Sequence, residues 1–218
     1  FRSKEGLKGG YGVGIGKMLM ENYPDQDVLT LMKAYTASAS EARMSGCSLP
    51  VVTNSGSGNQ GITSSVPIIV YARYHQMSAE QLYRGLVFSN LVTIHQKTGI
   101  GRLSAFCGAV CAGCASGAGI TYLSGGTLAQ IDMTIRNTLA NIPGIVCDGA
   151  KASCAVKIAT AIDAAMMAHY LAMKNCAYNT CDGILKESIE NTIQAIGRIG
   201  KEGMKVTDHE ILEIMLEK

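Results

Sequence analysis

Five of the eight cysteines in this chain of 218 residues lie in two short segments, which is a thiol density that can support chemistry. The segment SAFCGAVCAGCAS carries three of them, and GIVCDGAKASCAV carries two: Cys107, Cys111, Cys114, Cys147 and Cys154. Such thiols can form disulfides, fill small spaces in a core, or bind a metal centre. The opening residues FRSKEG do not resemble an export signal, and the cysteines are not spread over a small, turn-rich framework. We therefore expect reduced thiols used for packing or for metal ligation.

The spacing of these cysteines separates two groups. Cys107, Cys111 and Cys114 lie at i, i+4 and i+7, so they share one face of a helix. The string CxxxCxxC also occurs in radical S-adenosylmethionine enzymes, but there it follows a β-strand, and this chain has no alternation of strands and helices. Packing between helices is the favoured interpretation for Cys111 and Cys114. Cys107 is predicted near the start of its helical segment, and Cys147 is predicted to precede the next helix. The helix dipole stabilises thiolates at such positions, and two cysteines from separate helix starts can converge on one iron–sulfur cluster.

A second candidate site is the loop TNSGSGNQG, residues 53–61, which stands before the apolar segment VPIIVYA. Its glycines allow the backbone to approach a ligand, and the following helix offers N–H groups to an anion. The loop lacks the Gly-Lys-Ser/Thr of a nucleotide-binding P-loop, and no GxGxxG motif follows a clear strand. A small carboxylate-bearing ligand fits this loop better than a phosphate does. The alternative is a solvated glycine loop without a ligand.

Composition excludes several classes of protein. Hydrophobic residues make up 47% and charged residues 17%, and the formal charge is +2, so we expect neither a nucleic-acid nor a membrane partner. Residues 44–72 and 103–131 contain no charge and are long enough to raise a transmembrane interpretation. Both are interrupted by small and polar residues, which a bilayer does not favour. They are predicted to form closely packed helices inside the protein.

The coarse pattern predicts helix over most of the chain. Helical periodicity, caps and breaks give helices near 27–44, 78–99, 103–126, 127–144, 148–173, 184–200 and 207–218. A short strand near residues 49–53 is compatible with the pattern. The sequence predicts a mainly α fold, with residues 1–218 forming a single helical domain of about seven to nine packed helices.

Four segments together resemble one family of enzymes. NSGSGNQGITSSVPI, RLSAFCG, PGIVCDGAKASCAVK and RIGKEGM are similar to the L-cysteine desulfidase family, relatives of the α chain of iron–sulfur L-serine dehydratase. The similarity runs from about Gly10 to the end of the chain. Because members of that family are about twice as long, the resemblance implies that this chain is a carboxy-terminal half, which agrees with its start at Phe1. It also implies a helical enzyme with a [4Fe–4S] cluster held by three cysteine thiolates.

The resemblance assigns ligands residue by residue. Cys107 and Cys147 match two of the three cluster ligands, and the amino-terminal half is implied to supply the third. Cys111 and Cys114 are not needed. Cys154 is left as a reserve ligand, since a further cysteine follows the second ligand in the dehydratases at a longer spacing.

The same resemblance implies an elimination reaction on a small L-amino acid. One group of polar side chains is expected to bind the carboxylate and ammonium of the substrate: Asn54, Ser55, Ser57 and Asn59. The candidate bases for removal of the α-proton are His95 and Lys151. Lys151 is expected on the same helix face as Cys147, where it could equally balance the charge of the cluster. His95 could equally be a surface residue, and Asp148 could be a helix N-cap.

Three hypotheses for the function follow from these residues. The first is a lyase that converts L-cysteine to pyruvate, ammonia and sulfide, with L-serine dehydration as its close alternative. The second is a non-enzymatic iron–sulfur sensor, and the third is a structural helical domain with buried cysteines. We further expect a cytoplasmic protein, and a homodimer is a hypothesis.

Overall fold

The computed structural model describes residues 2–23, 25–101 and 103–217, and these residues are mainly helical. Ten α-helices lie within them, and a π-helical turn, Ile199–Gly203, joins the last two. In chain order the helices are α1 Arg2–Leu7, α2 Ile15–Asn22, α3 Val28–Met44, α4 Gly58–Tyr74, α5 Ala79–Ile100, α6 Gly108–Leu123, α7 Leu128–Asn141, α8 Cys154–Met173, α9 Ile189–Arg198 and α10 Lys205–Leu216.

The predicted mainly α fold class is confirmed, with some differences in detail. The described part of the chain has ten helices because the amino-terminal segment forms α1 and α2, which the sequence pattern did not indicate. Residues 49–53 form no strand and lead instead into an isolated bridge between Asn54 and Ser57. The helix expected from residue 148 begins only at Cys154, and this displacement changes the candidate site described below.

Local capping explains why the central helices begin where the sequence predicts. Ser78 and Gln81 form a capping box at the start of α5, with each side chain bonded to the backbone of the other. Thr127 and Gln130 do the same for α7. Since such boxes satisfy two free N–H groups within one turn, they define helix starts from a few neighbouring residues.

Helix α6 lies at the centre of the structure and packs against α4, α5, α7 and α8. Small residues permit this close contact: a Cβ atom added at Gly113 would lie 2.9 Å from the Cβ of Ala161 on α8. A Cβ atom added at Gly117 would likewise lie 2.8 Å from the Cβ of Ala165. The expectation that residues 103–131 contribute a closely packed interior helix is therefore confirmed.

Two hydrophobic clusters cover opposite sides of α6. One contains side chains from α7 and α9, among them Leu139 and Ile196. The other contains side chains from α3, α4 and α8, among them Met32, Ile68 and Ile162. Across the described ranges, every helix falls short of the length or the hydropathy that a bilayer crossing requires.

Candidate functional site

The candidate site is built on a short antiparallel pairing of two segments that lie far apart in the sequence. The N–H of Cys107 donates to the carbonyl of Ile145 at 2.8 Å, and the N–H of Cys147 donates to the carbonyl of Ala105 at 2.7 Å. These two bonds form an isolated bridge and end directly before α6. The bridge therefore places the two cysteines predicted as metal ligands next to each other.

Packing beneath the bridge fixes its position. The ring of Phe106 is fully buried, and Gly144 lies so close to it that an added Cβ would be 3.0 Å from a ring carbon. Ser104 donates its hydroxyl proton to the carbonyl of Gly200 at 2.6 Å and accepts from the N–H of Phe106 at 3.0 Å. The Pro143-Gly144 break thus allows the second segment to approach the aromatic ring.

The two thiols have different electrostatic environments although they are neighbours. Cys107 is the N-cap residue of α6 and is 8% exposed, and Cys147 is half-buried. A hydrogen bond from the Cys107 thiol lowers the pKa of Cys147 to about 6, helped by the N–H of Gly149 and the charge of Lys157. The same hydrogen bond, together with burial, raises the pKa of Cys107. The pair therefore holds one thiolate beside one protonated thiol at neutral pH.

Lys157 and Asp148 lie beside the thiol pair, and Lys151 is linked to it through Asp148. Lys157 donates to the carbonyl of Val146 at 2.9 Å and to Asp148 at 2.5 Å, and Lys151 also pairs with Asp148. Its hydrogen bonds with Lys151 and Lys157 hold the pKa of Asp148 at about 2. Two cations and one anion leave a net positive charge, which suits anionic sulfur ligands.

The predicted helical relation between Lys151 and Cys147 is wrong. Residues 148–153 are not helical, and Gly149 has a φ of 94°, a left-handed conformation that interrupts any helix there. Asp148 accordingly does not cap a helix but pairs with lysines. Lys151 reaches the neighbourhood of Cys147 only through its ion pair with the adjacent Asp148.

Cys154 is the first residue of α8 and lies near the thiol pair. Its charge contributes to the raised pKa of Cys107, and its Sγ lies 3.8 Å from the carbonyl of Gly149. Within the residues that the structure describes, no three His, Cys, Asp or Glu side chains are grouped closely enough to hold a metal ion. The thiol pair fits an iron–sulfur cluster in the type of ligand. It provides two of the three thiolates that the resemblance implies.

The remaining cysteines of α6 are packing residues, as their helical spacing predicted. Cys111 and Cys114 are fully buried in the hydrophobic cluster on the side of α7 and α9. Burial raises the pKa of each of them to about 12, so they stay protonated. A protonated thiol without solvent contact is neither a nucleophile nor a metal ligand.

The predicted substrate loop is a tight turn anchored to α5. Asn54 and Ser57 exchange two backbone hydrogen bonds around Ser55 and Gly56, which have φ values of 49° and 83° as in a type I′ turn. The amide of Asn54 donates to the side chain of Asn90 on α5 at 2.9 Å and accepts from the Ser55 hydroxyl at 2.8 Å. Asn54 thus fixes the turn, and Ser57 caps α4 by accepting from the N–H of Gln60.

The end of this loop touches the start of α6. The oxygen of the Asn59 side chain accepts from the Ser40 hydroxyl at 3.2 Å, which ties the first turn of α4 to α3. The side chain of Gln60 lies against Gly108, where an added Cβ would be only 2.4 Å away. Since Gly108 follows Cys107 directly, the structure brings the predicted loop next to the predicted ligand.

A cleft of about 590 Å³ separates this loop from the end of α5. It is lined by Ser55, Gly56, Ile94, Lys97, Thr98 and Gly101. Lys97 was missed by the sequence analysis. A signal was present: the buried residues Gly85, Ser89 and Thr93 follow one another at a spacing of four, and Lys97 continues that series.

His95 lies outside the lining of the cleft. Its Nε2 atom is 2.8 Å from a carboxylate oxygen of Glu190 on α9, and both side chains are about half exposed. This geometry agrees with the alternative interpretation of His95 as a surface residue. Of the two candidate bases, Lys151 is the one linked to the segment of Cys147, through its ion pair with Asp148.

Comparison with known proteins gives the family. The model of the family "Serine dehydratase alpha chain" matches residues 2–213. A UPF0597 protein of Desulfitobacterium hafniense is 54% identical over 99% of this chain, and one of Finegoldia magna is 53% identical over 99%. A UPF0597 protein of Fusobacterium nucleatum is 49% identical over 97%. This chain spans about half the length of these relatives, since the matches cover 50%, 51% and 50% of them. The chain belongs to the serine dehydratase alpha chain family.

Proposed function

We propose that the whole protein is an iron–sulfur-dependent lyase that eliminates sulfide from L-cysteine. The observation that supports this proposal best is the meeting of Cys107 and Cys147, forty residues apart, in one hydrogen-bonded thiol pair at the start of α6. A purely structural domain does not need a half-buried thiol with a pKa of about 6 beside a lysine. Membership of the serine dehydratase alpha chain family makes a lyase reaction the expected chemistry.

In this proposal Cys107 and Cys147 would provide two of the thiolate ligands of a [4Fe–4S] cluster. The third thiolate comes from the part of the protein that this chain does not span, with Cys154 as the alternative within the chain. When bound, a cluster with three protein ligands supplies one open iron, a Lewis acid for the leaving sulfur or oxygen. Lys157 offsets the negative charge that the thiolates bring.

In this proposal the turn at Ser55, in the loop that touches Gly108 next to Cys107, holds the substrate. Ser55 and Ser57 are the proposed contacts to the carboxylate and ammonium of the amino acid. Asn54 and Asn59 contribute by fixing the loop, because their side chains are already bonded to Asn90 and Ser40. This division of roles refines the prediction that all four side chains contact the substrate.

The reaction itself balances without an external oxidant. A base removes the α-proton and the β-substituent leaves as sulfide; the aminoacrylate that is released takes up water and gives pyruvate and ammonia. Lys151 is the proposed base because it pairs with Asp148, the residue that directly follows Cys147, and it must first release this ion pair. His95 is the second candidate, and its bond to Glu190 would have to open.

Two further functions remain as alternatives. L-Serine carries a hydroxyl where L-cysteine carries a thiol, so a dehydratase would use the same residues, and the family name favours it. A non-enzymatic iron–sulfur sensor would use the thiol pair alone. The cleft beside the Ser55 turn favours an enzyme, since a sensor has no need of a second, polar site.

The remainder of the protein is proposed to pack on α5. Tyr83, Val87, Leu91 and Ile94 form an exposed apolar row at helical spacing, and Ile94 also lines the cleft. The relatives have about as much chain again as this one, which is enough to cover such a row. This arrangement would close the cleft and bring a further ligand towards the thiol pair. The homodimer stays a prediction.

The test uses full-length protein purified without oxygen. We expect a broad iron–sulfur absorption band that shifts when L-cysteine is added, together with sulfide and pyruvate in equal amounts. L-Serine in place of L-cysteine gives pyruvate alone if the protein is a dehydratase. A band that ignores both amino acids would favour the sensor, and protein that stays colourless after reconstitution with iron and sulfide would refute the cluster.

Variants test the ligands separately from the activity. Cys107→Ser and Cys147→Ser are expected to lose most of the bound iron, and Cys176→Ser, at an exposed cysteine, is the matched control that keeps it. Iron content and the absorption band are read before any substrate is added. If Cys154→Ser also loses the iron, the third thiolate lies within this chain and not in the remainder of the protein.

A further inference from the structure

We propose that Lys97 and the Ser55–Gly56 turn together form the site that binds the carboxylate of the amino-acid substrate. This inference deepens the proposed function and rests on it for the identity of the ligand. Neither the sequence pattern nor the family comparison assigns Lys97 a role.

Lys97 is a buried cation without a counter-ion among the described residues. Only 5% of its surface is exposed, and its Nζ atom forms neither a hydrogen bond nor an ion pair within residues 2–23, 25–101 and 103–217. Nζ is not one of the fully enclosed unpartnered atoms, and the residue lines the cleft, so the ammonium opens into it. A buried charge without a partner is costly, and binding an anion removes that cost.

Two half-buried lysines of this protein have a carboxylate partner, which Lys97 lacks among the described residues. Lys33 pairs with Asp163 at 2.8 Å, and Lys157 pairs with Asp148 at 2.5 Å. Lys97 is more deeply buried than either, but no carboxylate is among the residues that line its cleft. The difference indicates that the counter-ion of Lys97 comes from outside the described chain.

The Ser55–Gly56 turn, which lines the same cleft, has hydrogen-bond donors without an acceptor in the described part of the chain. The N–H groups of Ser55 and Gly56 lie at the tip of the type I′ turn, and within the described ranges neither donates to a protein acceptor. The Ser55 hydroxyl lies beside them and can turn from Asn54 towards a ligand. Two free N–H groups and a lysine that line the same cleft form a suitable binding site for a carboxylate.

The thiol of Cys111, one turn after Cys107 on α6, does not neutralise Lys97. Burial raises the pKa of Cys111 to about 12, although the charge of Lys97 acts in the opposite direction. Cys111 is therefore uncharged at neutral pH. The influence of Lys97 on Cys111 indicates that Lys97 lies near the first turn of α6, where Gln60 touches Gly108 beside Cys107.

The experiment compares two fragments of L-cysteine on the full-length holoprotein. 3-Mercaptopropionate retains the thiol and the carboxylate, and cysteamine retains the thiol and the amine; neither is an α-amino acid that can undergo the elimination. Calorimetric titration gives the dissociation constant of each. We expect Lys97→Met to weaken 3-mercaptopropionate binding roughly ten- to hundredfold, as for loss of a charged hydrogen bond, and to leave cysteamine binding within about twofold.

Matched variants control for charge and for folding. Lys33→Met removes another half-buried lysine charge away from the cleft and should leave the binding of both fragments unchanged. Lys97→Arg should retain most of the carboxylate binding. If Lys97→Met does not fold, Ser55→Asp replaces it: aspartate tolerates the positive φ at this position, and its carboxylate would compete for Lys97. The same selective loss of 3-mercaptopropionate binding is then expected.

Each outcome decides between the two proposals. Wild-type protein that does not bind 3-mercaptopropionate, or a folded Lys97→Met variant that binds it normally or loses both fragments equally, overturns the carboxylate site. Normal turnover of L-cysteine with an unchanged KM in Lys97→Met overturns it as well and leaves the lyase intact. If the wild-type protein turns over neither L-cysteine nor L-serine, but Lys97→Met still loses 3-mercaptopropionate binding selectively, the lyase proposal is refuted and the carboxylate site is retained.

Discussion

The two parts of helix α6 use the same residue type in opposite ways. At its start, Cys107 meets Cys147, and the pKa of Cys147 falls to about 6. Further along, Cys111 and Cys114 are enclosed by apolar side chains, and their pKa values rise to about 12. The comparison shows that tertiary surroundings, and not the CxxxCxxC spacing, decide which thiols can take part in chemistry.

The sharpest way to break this comparison is to measure thiol reactivity in iron-free protein. At pH 7 Cys147 is expected to be alkylated by iodoacetamide about 10⁴-fold or more faster than Cys114, because the thiolate fraction changes tenfold for each pKa unit. Its rate should rise as the pH passes through about 6 and level off above 7. Peptide mass spectrometry at timed quenches measures both rates.

Two controls accompany the alkylation experiment. In denaturant the two cysteines should react alike, since an unfolded thiol has an ordinary pKa near 8.5. Lys157→Met should shift the midpoint of the Cys147 profile to higher pH, because a nearby cation is lost. Equal reaction of Cys147 and Cys114 in the folded protein would abolish the distinction between the two parts of α6.

Near the far end of α6, a buried histidine of α8 is predicted to affect the stability of the protein and not its chemistry. His169 lies 2.9 Å from the Thr121 hydroxyl, and burial lowers its pKa to about 4. In the unfolded chain His169 binds a proton near pH 6.5, so the contribution of the neutral, buried histidine to the free energy of unfolding is fully present above that pH and is lost as the pH falls towards 4. The free energy of unfolding is expected to fall by roughly 2–3 kcal/mol over this range.

Urea unfolding between pH 7 and pH 4 measures this loss. His169→Gln should flatten the pH dependence, since glutamine does not titrate. His75→Gln, at an exposed histidine, is the control that should keep it. An unchanged pH dependence in His169→Gln would mean that another group is responsible for acid sensitivity.

A smaller effect is expected from overpacking the interior of α6. Gly113→Val adds methyl groups where even a Cβ would lie 2.9 Å from Ala161, and the expected loss of unfolding free energy is about 1–3 kcal/mol. Gly203→Val is the control, since a Cβ there meets no atom within 4 Å, and it should stay within about 0.5 kcal/mol. Equal stabilities of the two variants would show that α6 and α8 are less closely packed than described.

The smallest expected effect lies at the start of α6. Gly108→Ala displaces only the flexible side chain of Gln60, so the melting temperature should hardly change. The contact between the substrate loop and α6 should loosen, which raises KM for the amino acid roughly two- to tenfold in full-length enzyme. A fall in stability with unchanged KM would place Gly108 with the packing glycines and not with the site.

Local sequence was sufficient for most of the helices. Ser78 with Gln81 and Thr127 with Gln130 marked two helix starts correctly, because a capping box is complete within four residues. The start of α8 was predicted six residues too early, because Asp148 is a typical N-cap residue directly before the long apolar segment, but Gly149 has a positive φ and interrupts the helix there. That error produced the wrong helical relation between Lys151 and Cys147.

The sequence by itself determined a mainly α chain, a small-residue central helix, and Cys107 at the start of that helix. These features depend on periodicity, capping and residue size, which act over a few neighbouring positions. Only the tertiary structure decided that Cys147 pairs with Cys107 and that Lys97 and Ser55 line the same cleft. Such contacts depend on where distant segments meet, because burial and the proximity of charges, not residue type, set the ionisation of a thiol and the demand of a lysine for a counter-ion.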